Sequence, residues 1–134
     1  MGVQNIMVEI VVDPFPADDM LRDLWRKAWG DGGPAVGWQN VLSRSLAHIG
    51  AYEGTQLVGF VNVAWDGGVH AFILDTCVDA DFQRQGIALR LLKAAEDTAR
   101  ARGAKWLHVD FEPHLTALYR SAGFGPTEAG LMAL

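Results

Sequence analysis

The stretch of sequence that decides the fold is residues 72–88, which read Phe-Ile-Leu-Asp-Thr-Cys-Val-Asp-Ala-Asp-Phe-Gln-Arg-Gln-Gly-Ile-Ala. Residues 72–78 are apolar on both faces, which is typical of a central strand covered from both sides. From Gly86 onward the apolar residues recur at helical spacing and form a buried stripe: Ile87, Leu91, Leu92, Ala95 and Ala99. The stretch predicts a central strand, a turn and a long helix over 86–102, which Gly103 ends.

The flanking sequence extends this unit on both sides. Upstream, hydrophobic patterning predicts a strand over 6–12, a helix from about Asp18 to Gly30 and a weaker helix over 38–46. A hairpin of strands 48–53 and 56–65 follows, and the central strand begins near 69. Downstream we expect a strand over 104–110, a short helix over 113–121 and a final strand over 131–134. The order βααβββαβαβ predicts one α/β domain with a mixed sheet over residues 1–134.

The net charge of −5 is the sum of two opposed parts. Six of the eleven basic residues lie between residues 84 and 105 beside only two acidic ones, so that stretch is +4 and the remainder is −9. A nucleic-acid-binding protein would need a basic face, so we expect no nucleic-acid partner. The acidic remainder would suit a cationic small molecule or amine.

Other classes are excluded by simple counts. A single cysteine, Cys77, excludes a disulfide scaffold, and the four histidines show no metal-ligand spacing, so we expect no metal site. No segment is long and apolar enough to span a membrane, and residues 1–12 do not resemble a secretory signal. A free cysteine without an export signal favours a cytoplasmic location.

The turn before the long helix is suited to an anion. Unpaired N–H groups at a helix N-terminus bind phosphate, and Gly86 would let a ligand approach the backbone closely. Arg84 and Arg90 add positive charge nearby. The Gly-Lys-Ser/Thr ending of a Walker A loop and the several glycines of a dinucleotide fingerprint are both absent. The alternative is an ordinary strand–turn–helix connection that contains a glycine.

A second motif, Leu118-Tyr119 followed by Gly123-Phe124, makes the combination specific. Together with Gln83-x-x-Gly86-x-Ala88 after a strand that ends in valine, it resembles the GNAT superfamily of N-acetyltransferases. The element order agrees with that family over nearly the whole chain. The resemblance implies an acyl-CoA N-acyltransferase-like fold, with a mostly antiparallel central sheet and helices on both faces.

The resemblance also implies roles for particular residues. The backbone of Cys77 and Val78 would pair with the pantetheine arm of acetyl-CoA, and Tyr119 would protonate the departing thiolate as the general acid. The cofactor-binding loop would comprise Gln83, Arg84, Gln85, Gly86, Ile87 and Ala88, with the backbone amides of 84–88 around the pyrophosphate. The chain departs from the family at Glu112, where an asparagine is often found, and at Leu74, where several members carry a glutamate base.

The sequence therefore leaves the identity of the general base open. Asp75 lies within an apolar strand, where burial would raise the pKa of its carboxyl toward that of a useful base. The alternative is a structural aspartate held by hydrogen bonds. Cys77 fits a small apolar strand residue better than an acetylated nucleophile, and Tyr119 has the alternative of an ordinary half-buried helix tyrosine.

The resulting expectation is an acetyl-CoA-dependent N-acetyltransferase that transfers acetyl to a primary amine of a small molecule or protein by direct attack in a ternary complex. One alternative is a non-catalytic acetyl-CoA-binding sensor. Another is a toxin-type member that acetylates charged tRNA, which the missing basic surface disfavours. The apolar end, residues 130–134, could pair within the sheet or across a homodimer.

Overall fold

Five strands form one sheet in the computed structural model, which describes residues 7–31, 33 and 37–134. They are β1 (Val8–Val12), β2 (Ser45–Glu53), β3 (Gln56–Trp65), β4 (His70–Val78) and β5 (Trp106–His108). Their spatial order follows the chain, and pairing is antiparallel except between β4 and β5, which are parallel. The predicted mixed and mostly antiparallel sheet is confirmed.

Helices cover both faces of this sheet, as predicted. They are α1 (Asp18–Trp29), α2 (Trp38–Leu42), α3 (Ile87–Ala101) and α4 (Thr116–Ser121), with single 3-10 turns at Ala80–Phe82 and Pro113–Leu115. In α1 the first turn carries two aspartates and the last turn two basic residues, an arrangement that stabilises the helix dipole. Within the described ranges, no helix is long and apolar enough to cross a bilayer.

The larger core lies between the sheet and α3. The predicted stripe is buried: Ile87, Leu91, Leu92, Ala95 and Ala99 are each at most 2% exposed. It packs on valines, alanines and isoleucines from the inner strands, and Tyr119 of α4 belongs to the same cluster. Burial of each large aliphatic side chain contributes about 1.5–3 kcal/mol, so this layer anchors α3 and the turn that precedes it.

The smaller core lies on the opposite face, beneath α1 and α2. Leu21 and Leu24 of α1 pack with Trp38 and Leu42 of α2. The sheet contributes Leu57, Phe60 and Cys77. Of the helix tryptophans, Trp38 is buried, Trp25 is half-buried and Trp29 is 53% exposed. The two α1 tryptophans thus extend from this core toward solvent.

The second helix is shorter than predicted. It ends at Leu42, and Ser45 and Leu46, which we expected within it, begin β2. The reason is the sheet: Ser45 pairs with Ala64 of β3, and this long-range pairing outweighs a weak local helical preference. The predicted first strand began at Ile6, which lies outside the described residues.

The end of the chain also differs from the expectation. No strand forms over 131–134, and Leu131, Met132 and Leu134 are each more than 80% exposed. A strand exists only where its backbone groups find partners, and Pro126 and Gly130 both disfavour one. The expected strand over 104–110 is reduced to the three residues of β5, because its pairing with β4 ends after three residue pairs.

Candidate functional site

Strands β4 and β5 begin side by side and then part. Their parallel pairing joins His70 to Trp106 at one end and Phe72 to His108 at the other, where it stops. β4 continues to Val78 and stays paired with β3 over that length, through Cys77 opposite Phe60 and Val78 opposite Gly59. Over 73–78, no strand of the described chain pairs with the other edge of β4. This edge presents backbone N–H and C=O groups to any extended ligand laid along it.

A bulge lies in the middle of this open segment. Between the pairs Phe60–Cys77 and Asn62–Leu74, β4 takes three steps while β3 takes two, so β4 carries one extra residue. Asp75 sits there with a φ of 59°, in the left-handed region that aspartate tolerates better than most side chains. Bulges redirect a side chain and are frequent beside active sites. Leu74, expected to be covered, is 42% exposed at this irregularity.

The Asp75 carboxyl meets a buried amide from the neighbouring strand. Asn62 of β3 is 1% exposed, and its side chain hydrogen-bonds the Asp75 carboxyl and accepts a hydrogen bond from the Ser45 hydroxyl. Burial raises the pKa of Asp75, and the hydrogen bond from Asn62 opposes part of that rise. A partly buried carboxyl with a raised pKa is the property that general-base catalysis requires.

The residues after Asp75 lead to the end of β4. The Cys77 thiol is buried, and burial together with the charge of Asp75 raises its pKa to about 12. A thiol in this environment is not a nucleophile at neutral pH, in agreement with the interpretation of Cys77 as a small core residue. The Thr76 hydroxyl oxygen is buried and has no hydrogen-bond partner among the described residues. An orphaned hydroxyl beside an open strand edge is suited to a bound ligand.

Side chains tie the turn after β4 to the sheet. Gln83, expected to contact the cofactor, donates from its amide to the carbonyl of Val78 at 3.1 Å. The backbone N–H of Asp79 donates to the carbonyl of Val58 at 2.8 Å, and its carboxylate accepts from the N–H of Asp81 at 2.9 Å. Gln83 and Asp79 thereby hold the start of the turn against the strand end.

The turn itself alternates in handedness before α3 begins. Arg84 has a φ of 64° and Gly86 a φ of 79°, both left-handed, with Gln85 between them. Such alternation brings successive N–H groups into one concavity, the arrangement called a nest, which binds anions. Gly86 is the N-cap of α3 and provides no capping side chain, so the first N–H groups of the helix are left for a ligand. The positive end of the helix dipole points into the same concavity. Ile87 is buried beneath it and Ala88 is half-buried.

Most of the basic stretch proves to be structural. Lys93 and Arg100 form ion pairs with Glu96 and Asp97 along the surface of α3. Arg102 donates to the Asp13 carboxylate at 2.7 Å. Arg90, expected near the phosphates, donates to the carbonyl of Val8 at 2.8 Å. Arg84 is exposed on the turn and forms no ion pair within the described ranges, which makes it the basic side chain best placed for a bound anion.

Tyr119 lies on the α3 side of the sheet. Its ring is 5% exposed, stacks on Phe111 at 4.6 Å and meets Phe124 edge-on at 5.9 Å. Its hydroxyl makes no hydrogen bond within the part of the chain that the structure describes. Asp75, by contrast, hydrogen-bonds Asn62, whose side chain points to the α1–α2 side because its neighbours Val61 and Val63 point into the core beneath α3. The two predicted proton-transfer groups therefore lie on opposite faces of the sheet.

Two residues of the site, Asn62 and Ser45, were not identified from the sequence. Asn62 is a lone amide in a strand that is otherwise apolar from Leu57 to Ala64, a signal that was available. Ser45 gave none, because it lies in a segment whose pattern predicted helix. The buried His48 is hydrogen-bonded within the fold: its ring accepts from the N–H of Phe15, and the residue is 1% exposed.

Comparison with known families identifies the class of protein. The family model described as Acetyltransferase (GNAT) family matches residues 7–124, which is most of the chain. The chain therefore belongs to the GNAT acetyltransferase family, and the predicted resemblance is confirmed. No curated protein matches it.

Solved structures show the same fold. A probable acetyltransferase of unknown function from methicillin-resistant Staphylococcus aureus is 22% identical with a TM-score of 0.82, and the match covers 96% of this chain and 98% of that one. A GNAT family acetyltransferase from Streptococcus pneumoniae is 26% identical with a TM-score of 0.73 over 96% and 98% of the two chains. An aminoglycoside N-acetyltransferase, solved in complex with CoA, is 20% identical with a TM-score of 0.74 over 95% and 93%.

Proposed function

We propose that the protein transfers the acetyl group of acetyl-CoA to a primary amine of a small molecule or protein, by direct attack in a ternary complex. The observation that carries this proposal is the parting of β4 from β5. The parallel pairing ends at Phe72, β4 continues to Val78, and the chain then enters the nest before α3. The backbone of β4 therefore leads from an open strand edge to an anion-binding turn. Acetyl-CoA has the corresponding parts in the same order, an amide-containing arm joined to a pyrophosphate.

The residues present fit such a donor. The backbone of Cys77 and Val78 would hydrogen-bond the amides of the pantetheine arm, and the orphaned Thr76 hydroxyl lies on the same segment. The amides of 84–88 would hold the pyrophosphate, and Arg84 would add a full positive charge. Gln83 would act indirectly, because its amide holds the turn against Val78. A CoA complex of a structural neighbour supports the assignment by analogy.

Deprotonation of the acceptor is the larger chemical demand. An alkyl amine with a pKa near 10.4 is neutral in only about one molecule in 2,500 at pH 7. We assign Asp75 as the general base that takes this proton, because its partial burial raises its pKa. The free amine attacks the thioester carbonyl, the C–N bond forms, the C–S bond breaks and CoA leaves as the thiolate.

Protonation of the leaving thiolate is the smaller demand. We assign it to Tyr119, as the resemblance to the family implies. Transfer from a phenol of pKa about 10 to a thiolate of pKa about 8.5 is uphill by only about 2 kcal/mol, and water can substitute for the donor.

The acceptor we favour is cationic. The chain outside residues 84–105 carries a net charge of −9, so the protein attracts ammonium groups and repels phosphate-rich polymers. Asp18, Asp19 and Asp23 contribute to this charge on α1, the helix that covers the Asp75 side of the sheet. A polyamine, an amino sugar or a lysine-like amine would meet the requirement.

Two measurements test the proposal. Calorimetric titration with acetyl-CoA should show binding that salt and Arg84→Ala both weaken, whereas Lys93→Ala, which removes an ion-paired surface charge on α3, should leave it unchanged. Thiol release over a panel of amines should then identify an acceptor, and Asp75→Asn should abolish that release without loss of acetyl-CoA binding. Binding without release for any amine would favour the sensor, and absence of binding would refute both.

A further inference from the structure

Three polar side chains from three different segments meet beside the β4 bulge. The Ser45 hydroxyl lies at the start of β2, the Asn62 amide in the middle of β3 and the Asp75 carboxyl at the bulge itself. Asn62 is 1% exposed and lies between Val61 and Val63, both fully buried. A polar side chain at such a position costs stability unless both ends of its amide are hydrogen-bonded.

The hydrogen bonds in this group run in one direction while Asp75 is ionised. Ser45 donates its hydroxyl proton to Oδ1 of Asn62, so the nitrogen end of the amide is the end available to Asp75. An amide N–H donates, and an ionised carboxylate only accepts. The hydrogen bonds are therefore donated from Ser45 to Asn62 and from Asn62 to the Asp75 carboxylate. They stabilise the ionised carboxylate, which is the form that can accept a proton as a base.

From this arrangement we propose that Asn62, held in place by Ser45, is the positioning residue that orients the Asp75 carboxylate toward the acceptor amine. This inference rests on the proposed function, since it concerns the base of that reaction. A single N–H from Asn62 occupies part of the carboxylate and leaves other lone pairs for the proton of the amine. The bulge turns Asp75 toward the amide, and the amide sets its rotamer.

The same group can also serve the protonated form of Asp75, which exists after it takes the proton. The Ser45 hydroxyl lies 3.2 Å from the carbonyl of Val41, a second acceptor. If Ser45 donates there, Asn62 can turn its amide, donate its N–H to the Ser45 oxygen and accept from the protonated carboxyl. The three side chains can therefore stay connected by hydrogen bonds in both protonation states of Asp75.

Few other charges face this carboxyl. Cys77 follows it on β4, but its pKa of about 12 keeps the thiol neutral. Lys27 of α1 lies 3.9 Å from Asp79, and His48 of β2 is engaged with Asp13. On β5, His108 shares a hydrogen bond of 2.8 Å with His70. Within the described residues, Asn62 is therefore the polar partner that controls the carboxyl.

The test combines a direct titration with kinetics on the full-length protein. The pKa of Asp75 is measured by carboxyl 13C NMR, with Asp75→Asn to assign the resonance. Asn62→Leu removes the N–H donor, so the pKa should rise by about one unit. Ser45→Ala keeps the amide but releases it, so a smaller rise in the same direction is expected, and this milder variant retains the test if Asn62→Leu does not fold.

Val61→Ala is the matched control. It also removes buried volume from β3, but its side chain belongs to the core beneath α3. It should lower stability without a change in the pKa of Asp75. With an amine that the protein acetylates, Asn62→Leu should lower kcat at least about tenfold and leave the KM for acetyl-CoA unchanged. The acid limb of the pH–rate profile should move to higher pH.

The outcomes separate the inference from the proposed function. An unchanged Asp75 pKa in folded Asn62→Leu, or a raised pKa with unchanged kcat, would overturn the positioning role. If the wild-type protein acetylated no amine, the proposed function would fail, and the titration would still decide whether Asn62 controls the carboxyl. A rise in the pKa together with a fall in kcat, absent in Val61→Ala, supports the proposal.

Discussion

The Nε2 atom of His48 accepts a 2.9 Å hydrogen bond from the backbone N–H of Phe15, which joins β2 to the connection between β1 and α1. Since Nε2 accepts, the proton of the neutral ring is on Nδ1, which lies 3.5 Å from the Asp13 carboxylate. A doubly protonated ring would turn a second donor toward the N–H of Phe15. This contact therefore requires a neutral histidine.

The first prediction is that acid weakens the fold through His48. Burial lowers the pKa of His48 below 6.5, although Asp13 opposes the shift. The unfolded chain takes up this proton from about pH 6.5 downward and the folded chain only at lower pH. The contribution of His48 is therefore complete above pH 6.5 and is lost as pH falls through the lowered folded pKa.

Urea denaturation at pH 8 and pH 5.5 measures this effect. His48→Leu should destabilise the protein by about 1–3 kcal/mol at pH 8, because the Phe15 N–H loses its acceptor. It should also reduce the pH dependence between the two conditions. His114→Leu, at an exposed histidine, should retain the wild-type dependence. An equal pH dependence in both variants would contradict the assignment to His48.

The second prediction concerns a link between the end of α3 and the start of the chain. Arg102 donates to the Asp13 carboxylate at 2.7 Å and to the carbonyl of Leu46 at 2.9 Å. Arg102→Ala should cost about 1 kcal/mol, a value kept small because the guanidinium is 40% exposed and solvent screens the pair. Arg100→Ala is the control on the same helix, and its surface pairs should contribute little. Equal losses in thermal denaturation would show that Arg102 has no special role.

Loss of Arg102 should also change the acid response. Burial tends to raise the pKa of Asp13, but the hydrogen bond from the His48 N–H and the Arg102 guanidinium hold it below the usual value. Stability from this group is present above pH 3.8 and is lost as pH falls through the folded pKa. In Arg102→Ala this acid-dependent loss should be smaller.

How much of this fold and site can be predicted from the sequence depends on how far apart along the chain the interacting residues lie. The α3 stripe and the turn at Gly86 were predicted because they follow from periodicity and from a single glycine, which are local properties. The resemblance to the GNAT family is visible in the sequence for the same reason, because each of its two motifs is a short local stretch. The open edge of β4 followed only from that resemblance, because no local pattern states where two strands part.

What could not be predicted depends on contacts between distant segments. Ser45 leaves the expected helix because it pairs with Ala64, and it reaches Asn62 only once that sheet exists. Arg102 and Asp13 meet across 89 positions of the chain. Apolar residues at the C-terminus predicted a strand, but a strand also needs a partner, and sequence patterning does not contain that information.

The third prediction tests the turn before α3. Gly86 has a φ of 79°, and a Cβ there would meet no atom within 4 Å, so the cost of Gly86→Ala is conformational rather than steric. It should destabilise the protein by about 1 kcal/mol and weaken acetyl-CoA binding, because relaxation of the turn disperses the N–H groups of the nest. Gly86→Asn should lose less, since asparagine tolerates left-handed backbone.

Gly125→Ala is the control for that measurement, because it also places a methyl group in open space but has no left-handed backbone. It should change neither the melting temperature nor the calorimetric affinity. Retention of full acetyl-CoA affinity in a folded Gly86→Ala protein would contradict a role for this turn in pyrophosphate binding.

The fourth prediction concerns the reactivity of Cys77. With a pKa of about 12 the thiol is ionised in only about one molecule in ten thousand at pH 8, and its side chain is buried against Phe60 and Leu57. Iodoacetamide should therefore leave the native protein unmodified at pH 8 and modify it fully in urea, as read by mass spectrometry. Cys77→Ala should retain amine acetylation with some loss of stability, because a small core side chain is removed. If alkylation of the native protein were rapid, or if Cys77→Ala lost turnover while it still bound acetyl-CoA, an acetyl-cysteine intermediate would replace direct attack.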